Sequence, residues 1–135
     1  MNDSDTRLTP FEHDVLRKLL EGDHSVLAAL RAQLPKCAVI ERESTGCGFL
    51  TTLEPSRTLP PALTGDQQIR ITHVAGDIPG LVRGAEFVLF VANGYLDQLE
   101  GFALEEEWPG TPSQYTLFFE GPRASDPTAI GFPGK

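Results

Sequence analysis

The sequence predicts an α+β fold in which an N-terminal helical hairpin packs on a mainly antiparallel sheet of about five to six strands. Apolar residues recur at helical spacing between Phe11 and Leu34, and the pattern becomes strand-like from Lys36 onwards. The strand-like stretches do not alternate with helices, which argues against a doubly wound nucleotide-binding fold. At 135 residues the chain fits a single domain, residues 1–135, in which residues 1–7 and 122–135 are candidates for flexible tails.

Two helices are predicted before the sheet. The first begins at Thr9-Pro10-Phe11-Glu12, which supplies an N-cap, a proline at the first helical position and a capping-box glutamate. Gly22 is its expected end. Asp23 is expected to cap a second helix that runs to Leu34, because Pro35 prevents continuation. The short connection predicts an αα-hairpin that covers the sheet.

A DNA-reading helix-turn-helix is the alternative interpretation of this pair. The second helix carries only Arg31 and the terminal Lys36 as bases, so the basic recognition face is missing. The net charge of −8 also disfavours binding to nucleic acid and to anionic membranes. No apolar run approaches the roughly 20 residues of a membrane span. The acidic start lacks the features of a signal peptide, and we therefore expect a cytoplasmic protein.

The first predicted hairpin joins residues 37–43 to residues 47–53 through a turn at Ser44-Thr45-Gly46. In this register Glu43 faces Cys47, and Cys37 faces Leu53. The two sulfur atoms are then roughly 20 Å apart at about 3.3 Å per residue. We therefore expect free thiols and no disulfide.

The second predicted hairpin has the clearest local signal, Asn93-Gly94, which suits a type I′ turn. It joins residues 87–92, expected to be buried on both faces, to residues 95–102, expected to meet solvent in part. Counting outward from the turn pairs Val91 with Leu96 and Phe87 with Glu100. Residues 69–74, which follow a proline-rich loop, and residues 115–120 complete the predicted sheet.

Charge is distributed unevenly along the chain. Residues 84–122 hold seven acids and no Lys, Arg or His, so a basic protein is the electrostatically complementary partner. Simple solubility is the alternative. Trp108, the single tryptophan, is either a loop anchor or an exposed hot spot. The candidate binding residues are Asp97, Glu100, Glu105, Glu106, Glu107 and Trp108.

The same acids admit two further interpretations. A hard-cation site needs several converging oxygens, and the Asp/Asn-Gly alternation typical of calcium loops is missing. Glycosidase-like catalysis needs two carboxylates at a defined separation, which a sequence does not give. We therefore favour an acidic edge that is either solvated or a docking face, with no metal and no cofactor.

An alternative pocket would lie between the helices and the sheet, near His73, Cys47 and Glu100. There His73 and a carboxylate would form an acid/base pair, or Cys47 would act as a nucleophile. The glycine-containing segment around Cys47 lacks the Lys-Ser/Thr ending of a phosphate loop and fits a hairpin turn instead. The protein is therefore interpreted as an enzyme only in this alternative.

Three short motifs follow the helical start: Thr45-Gly46-Cys47-Gly48-Phe49, Leu99-Glu100-Gly101-Phe102 and Trp108-Pro109. In this the chain resembles a family of small bacterial proteins of unknown function, and the resemblance implies no reaction. Its size and acidity are also similar in character to those of immunity proteins, which neutralise nuclease toxins. We expect a non-enzymatic, immunity-like protein that docks a basic partner, as a monomer or a homodimer. The alternative is a small-molecule binder or weak hydrolase.

Overall fold

The computed structural model describes residues 7–62, 68–104 and 106–120. Two helices precede a six-stranded antiparallel sheet, which confirms the predicted α+β class. The helices are α1 (Pro10–Leu19) and α2 (Ser25–Gln33), followed by a 3₁₀ turn (Leu34–Lys36). The strands are β1 (Ala38–Ser44), β2 (Gly48–Glu54), β3 (Gln68–Asp77), β4 (Ala85–Ala92), β5 (Tyr95–Ala103) and β6 (Thr116–Phe119).

The sheet has the order β1-β2-β5-β4-β3-β6, so β4 and β5 lie near its centre. Both helices pack on the same face, which we call the inner face, and the core lies between them and the sheet. Within the described ranges, neither helix is long and apolar enough to cross a bilayer. Side chains with no measurable exposure come from both layers, including Leu16, Leu19, Leu27, Leu30, Ile71, Leu89 and Leu99.

The start of α1 has the predicted capping box. Thr9 accepts a hydrogen bond from the Glu12 amide at 3.0 Å, and the Glu12 carboxylate accepts one from the Thr9 amide at 2.9 Å. The predicted cap of α2 is wrong by one residue. The helix begins at Ser25, so His24 takes the N-cap position in place of Asp23, and its Nδ1 accepts a hydrogen bond from the Val26 amide.

The β4–β5 hairpin turns at Asn93 and Gly94, whose φ angles of 56° and 83° fit the predicted turn. Val91 pairs with Leu96 as predicted, but a bulge next to this pair shifts the register beyond it. Glu100 therefore pairs with Val88, and the predicted pairing with Phe87 is wrong.

This bulge has a physical reason in the core. Leu96 and Leu99 are three residues apart and would face opposite sides of a regular strand, whereas both are buried here. Gln33 of α2, itself fully buried, compensates for the irregularity. Its Oε1 accepts a hydrogen bond from the Leu96 amide, and its Nε2 donates one to the Gly94 carbonyl, both at 3.0 Å.

The β1–β2 register also differs from the prediction. Ser44 pairs with Phe49 and Val39 with Leu53, so neither Glu43–Cys47 nor Cys37–Leu53 is a pair. The turn is longer than predicted, closing with a hydrogen bond from the Thr45 amide to the Gly48 carbonyl at 3.0 Å, and a bulge interrupts β1 near Ile40. Cys37 and Cys47 are free thiols, as expected.

Burial of β4 alternates along the strand, so the prediction that it is buried on both faces is wrong. Residues from Ala85 to Val91 are buried at every second position, and the intervening residues are half-buried. The half-buried residues lie on the face of the sheet opposite the helices, which we call the outer face. The predicted tail 122–135 lies outside the described residues, as does all of residues 1–7 except Arg7.

Candidate functional site

The acids singled out from the sequence lie in two separate parts of the fold. Asp97 and Glu100 are half-buried residues of β5, whereas Glu106 and Glu107 follow the end of that strand. From Asp97 to the end of β5 the chain advances by roughly 20 Å. Glu105 lies outside the described residues. The predicted acids that the structure describes therefore do not form one compact cluster.

Glu106 has a structural partner. Its carboxylate accepts hydrogen bonds from the backbone amides of Val82 at 2.9 Å and Arg83 at 3.2 Å. It thereby ties the segment after β5 to the turn between β3 and β4. Glu107 is exposed, whereas the Glu106 carboxylate is already bound by two backbone amides.

Trp108 anchors its loop to the body of the protein, the first of its two predicted roles. Its amide donates a hydrogen bond to the Gly46 carbonyl at 3.0 Å. Its ring lies 5.3 Å from the Phe49 ring and 6.4 Å from the Phe11 ring, centroid to centroid. Because the side chain is half-buried among aromatic rings, it is not the freely exposed hot spot that was the other interpretation.

The outer face of the sheet combines acids with apolar side chains. Residues that pair across strands share a face, which places Leu50, Glu100 and Val88 in one row. The next row contains Phe102, Glu86, Ala75 and the 39% exposed Phe118. Charged strand residues on this face include the acids Glu41, Glu43, Glu54, Glu86 and Glu100 and the base Arg70.

A charged cluster on the inner face is centred on Glu12, which the sequence marked only as a capping residue. Glu12 is 5% exposed, and its carboxylate accepts four hydrogen bonds. Arg42 donates two, from Nη2 at 2.8 Å and from Nε at 2.9 Å. The Thr51 hydroxyl and the Thr9 amide donate the others, each at 2.9 Å.

The electrostatics of Glu12 follow from these contacts. Burial acts to raise the pKa of its carboxyl group, but the hydrogen bonds from Arg42, Thr9 and Thr51, together with the charge of Arg42, outweigh it. The pKa is therefore below its ordinary value. Both oxygens are fully engaged, so the charged group stabilises the fold and is not placed to accept a proton from a substrate.

Beside this cluster lies a groove of about 250 Å³, which we call the α1 groove. It is bounded by the start of α1, the β1–β2 hairpin and the loop after Trp108. Phe11, Phe49 and Trp108 supply aromatic surface. Polar groups in the lining include Thr9, Ser44, Thr51 and Thr111. The sequence motifs around Phe49 and Trp108 marked both walls, but their pairing was not predicted.

The residues of the predicted alternative pocket are not brought together. Glu100 lies on the outer face, away from the helices. His73 lies on β3, separated from β5 by β4 and therefore by roughly 10 Å. Cys47 is exposed in the β1–β2 turn, and its carbonyl accepts the Ala103 amide near the end of β5. This placement does not support joint acid/base chemistry by the three residues.

Other titratable groups are tied to the structure. Burial raises the pKa of the half-buried Cys37 thiol to about 11. Burial, together with the hydrogen bond to Asp14 and the charge of that group, raises the pKa of Tyr115 to about 12. Across the described ranges, no three His, Cys, Asp or Glu side chains are grouped as a metal site requires.

No protein-family model, curated protein or solved structure matches this chain. The resemblance to small bacterial proteins stays a prediction.

Proposed function

We propose that this chain is a non-enzymatic binding protein that docks a basic protein partner on the outer face of its sheet. The observation that supports this is the mixture of acids with half-buried apolar side chains on the face that the helices leave uncovered. The analogy is with immunity proteins, which also present acidic surfaces.

Two acids at the centre of the outer face suit a partner with regularly spaced bases. Glu100 pairs with Val88, and Glu86 pairs with Phe102, so the two acids are diagonal neighbours on adjacent strands. Such neighbours are roughly 7–8 Å apart, with apolar side chains between them. A basic amphipathic segment would place its apolar side on Val88 and Phe102 and its bases near the two carboxylates.

The edges of the sheet are less suited to docking. β1 is interrupted by a bulge and has the consecutive charged residues Glu41, Arg42 and Glu43. β6 is four residues long. Short, charged or bulged edges oppose the addition of another strand, which favours contact through the outer face.

The test is binding of a synthetic amphipathic Lys-Leu helical peptide, followed by NMR of backbone amides. We expect shifts at Leu50, Val88 and Phe102 and an affinity that falls as salt is added. The double variant Glu86→Lys/Glu100→Lys should weaken binding by roughly tenfold, about 1.4 kcal/mol.

The matched control is Glu21→Lys/Asp23→Lys, which makes the same charge change at exposed positions between the two helices, outside the strands. Glu106 is not a suitable target, since its loss would also release the Val82 and Arg83 amides. Equal weakening by both double variants, or shifts confined to the helices, would contradict the proposal.

A further inference from the structure

We propose that the α1 groove binds a small uncharged aromatic molecule that carries a hydroxyl group. This site is independent of the outer face, because the groove opens beside α1 on the helix-covered side of the sheet. Four properties of the groove lead to this ligand class: its aromatic walls, its compensated charge, its size and its hydroxyl-bearing rim.

The walls are three aromatic rings in mutual contact. Phe11 is almost fully buried and forms the floor, while Phe49 and Trp108 are half-buried. The Phe49 and Trp108 rings meet at 63° and the Phe11 and Phe49 rings at 68°. Rings packed in this edge-to-face manner attract a further ring in the same geometry.

The charge in the lining disfavours an ionic ligand. The Glu12 carboxylate is neutralised by Arg42 and has all its acceptor positions in use. Arg42 in turn spends Nε and Nη2 on Glu12, and Nη2 also donates to the Arg7 carbonyl at 2.8 Å. Glu43 is exposed at the rim, where water screens its charge. An ion entering the groove would therefore lose hydration without gaining a counter-charge.

The volume suits a single substituted ring. An apolar cavity of about 150 Å³ holds benzene, so the 250 Å³ of the groove leaves room for a ring with one or two small substituents. Pockets that bind drug-sized molecules are larger, at about 300–1,000 Å³.

The rim offers hydroxyl groups to a polar substituent. Thr9 accepts the Glu12 amide through its Oγ1, which leaves its own hydroxyl hydrogen to donate. Thr111 is exposed and makes no hydrogen bond to the described residues. Each of these two hydroxyl groups can therefore form a hydrogen bond with a ligand hydroxyl.

The groove is formed before any ligand arrives. The Trp108 amide is bound to the Gly46 carbonyl, and the turn that contains Gly46 is closed by Thr45 and Gly48. Phe49 packs against Gly101, and a Cβ added to Gly101 would overlap the Phe49 ring. The walls are thus fixed by backbone contacts, which lowers the cost of ordering them on binding.

The test is an NMR titration with p-cresol, observed at the Trp108 indole N–H and the Gly110 and Thr111 amides. We expect saturable shifts with a Kd of about 1 mM, typical of so small a ligand. Ser44→Leu, which fills the rim beside Phe49, should weaken binding at least tenfold. Ser113→Leu makes the same change in the loop after Trp108, one residue beyond the groove lining, and should leave the Kd unchanged.

A second variant tests the hydrogen bond to the ligand hydroxyl. It also keeps the proposal testable if Ser44→Leu does not fold. Thr111→Val, at an exposed loop position, should weaken p-cresol severalfold and leave toluene unaffected. Unsaturable shifts, equal binding by Ser44→Leu, or tighter binding of p-hydroxybenzoate or tyramine than of p-cresol would overturn the proposal. None of these results depends on Glu86 or Glu100, so the outcome is separate from that of the proposed function.

Discussion

Arg42 holds both carboxylate oxygens of Glu12, with its Nη2 2.8 Å from Oε1 and its Nε 2.9 Å from Oε2. The paired groups are thirty residues apart and join the first turn of α1 to β1. Because Thr51 of β2 donates to the same carboxylate, a single buried charge connects three elements. It also forms one side of the α1 groove.

Glu12→Gln should lower the free energy of unfolding by roughly 2–3 kcal/mol. The amide keeps the size of the side chain, but its NH₂ group would face the donors of Arg42. Urea unfolding followed by circular dichroism measures the change. Glu21→Gln, an exposed carboxylate 3.6 Å from Lys18, should change stability by less than about 0.5 kcal/mol. A Glu12→Gln effect as small as that of the control would show that the Glu12–Arg42 pair contributes little to stability.

The contribution of Glu12 to the free energy of unfolding should depend on pH. Its pKa is lowered in the folded protein, so the unfolded chain binds the proton more readily and the stabilisation is present above the unfolded pKa of about 4.3. It is lost as pH falls through the folded pKa. The stability difference between wild type and Glu12→Gln should therefore be constant near neutrality and shrink below about pH 4. A difference that grows on acidification would contradict the lowered pKa.

Gln33→Leu should destabilise the protein by about 1–3 kcal/mol, because the Leu96 amide would be buried without its acceptor. Hydrogen exchange at the Leu96 amide should accelerate more than at neighbouring β5 amides. Gln98→Leu is the matched control, since Gln98 is half-buried and its side-chain amide makes only a long contact of 3.4 Å with the Thr52 hydroxyl. Unchanged exchange at Leu96 would count against the role of Gln33.

Gly101→Ala should cost about 1–3 kcal/mol through overpacking. An added Cβ would overlap the Phe49 ring and lie 3.0 Å from Cδ1 of Phe87. Thermal unfolding measures the loss. Phe49→Leu introduced into the Gly101→Ala background should recover part of it, and no recovery would mean that the clash with Phe49 is not the cause.

The two cysteines should react at different rates with a thiol-specific disulfide reagent. Cys47 is exposed, whereas burial raises the pKa of Cys37 to about 11 and keeps it as the unreactive thiol at pH 8. We expect a fast phase and a slow phase in the native protein. Cys47→Ser should remove the fast phase, and loss of the slow phase instead would reverse the assignment.

Local signals allowed much of the fold to be predicted. The capping box at Thr9 and Glu12, the turn at Asn93 and Gly94, and the change from helical to strand periodicity all act within a few residues. Each of these features is therefore found in the structure as the sequence predicted it. The predicted N-cap of α2 was wrong by one residue. An error of this size is usual at helix ends.

Features that depend on distant partners were not predicted. The bulge in β5 arises because Leu96 and Leu99 share the core and Gln33 binds the freed amide, which no local pattern reveals. Burial of Glu12 requires Arg42 and Thr51 from two strands. The α1 groove likewise depends on Trp108 meeting Phe49 across 59 positions of the chain. Charge counting identified the acids but not the face on which they lie.

The contacts of Gln33 have a consequence for how this sequence can change over time. Both of its partners in the β4–β5 hairpin are main-chain atoms, the Gly94 carbonyl and the Leu96 amide. The helix therefore recognises the path of the backbone and not the identity of the turn side chains. Among relatives, position 33 should retain an amide while other residues able to adopt positive φ replace Asn93.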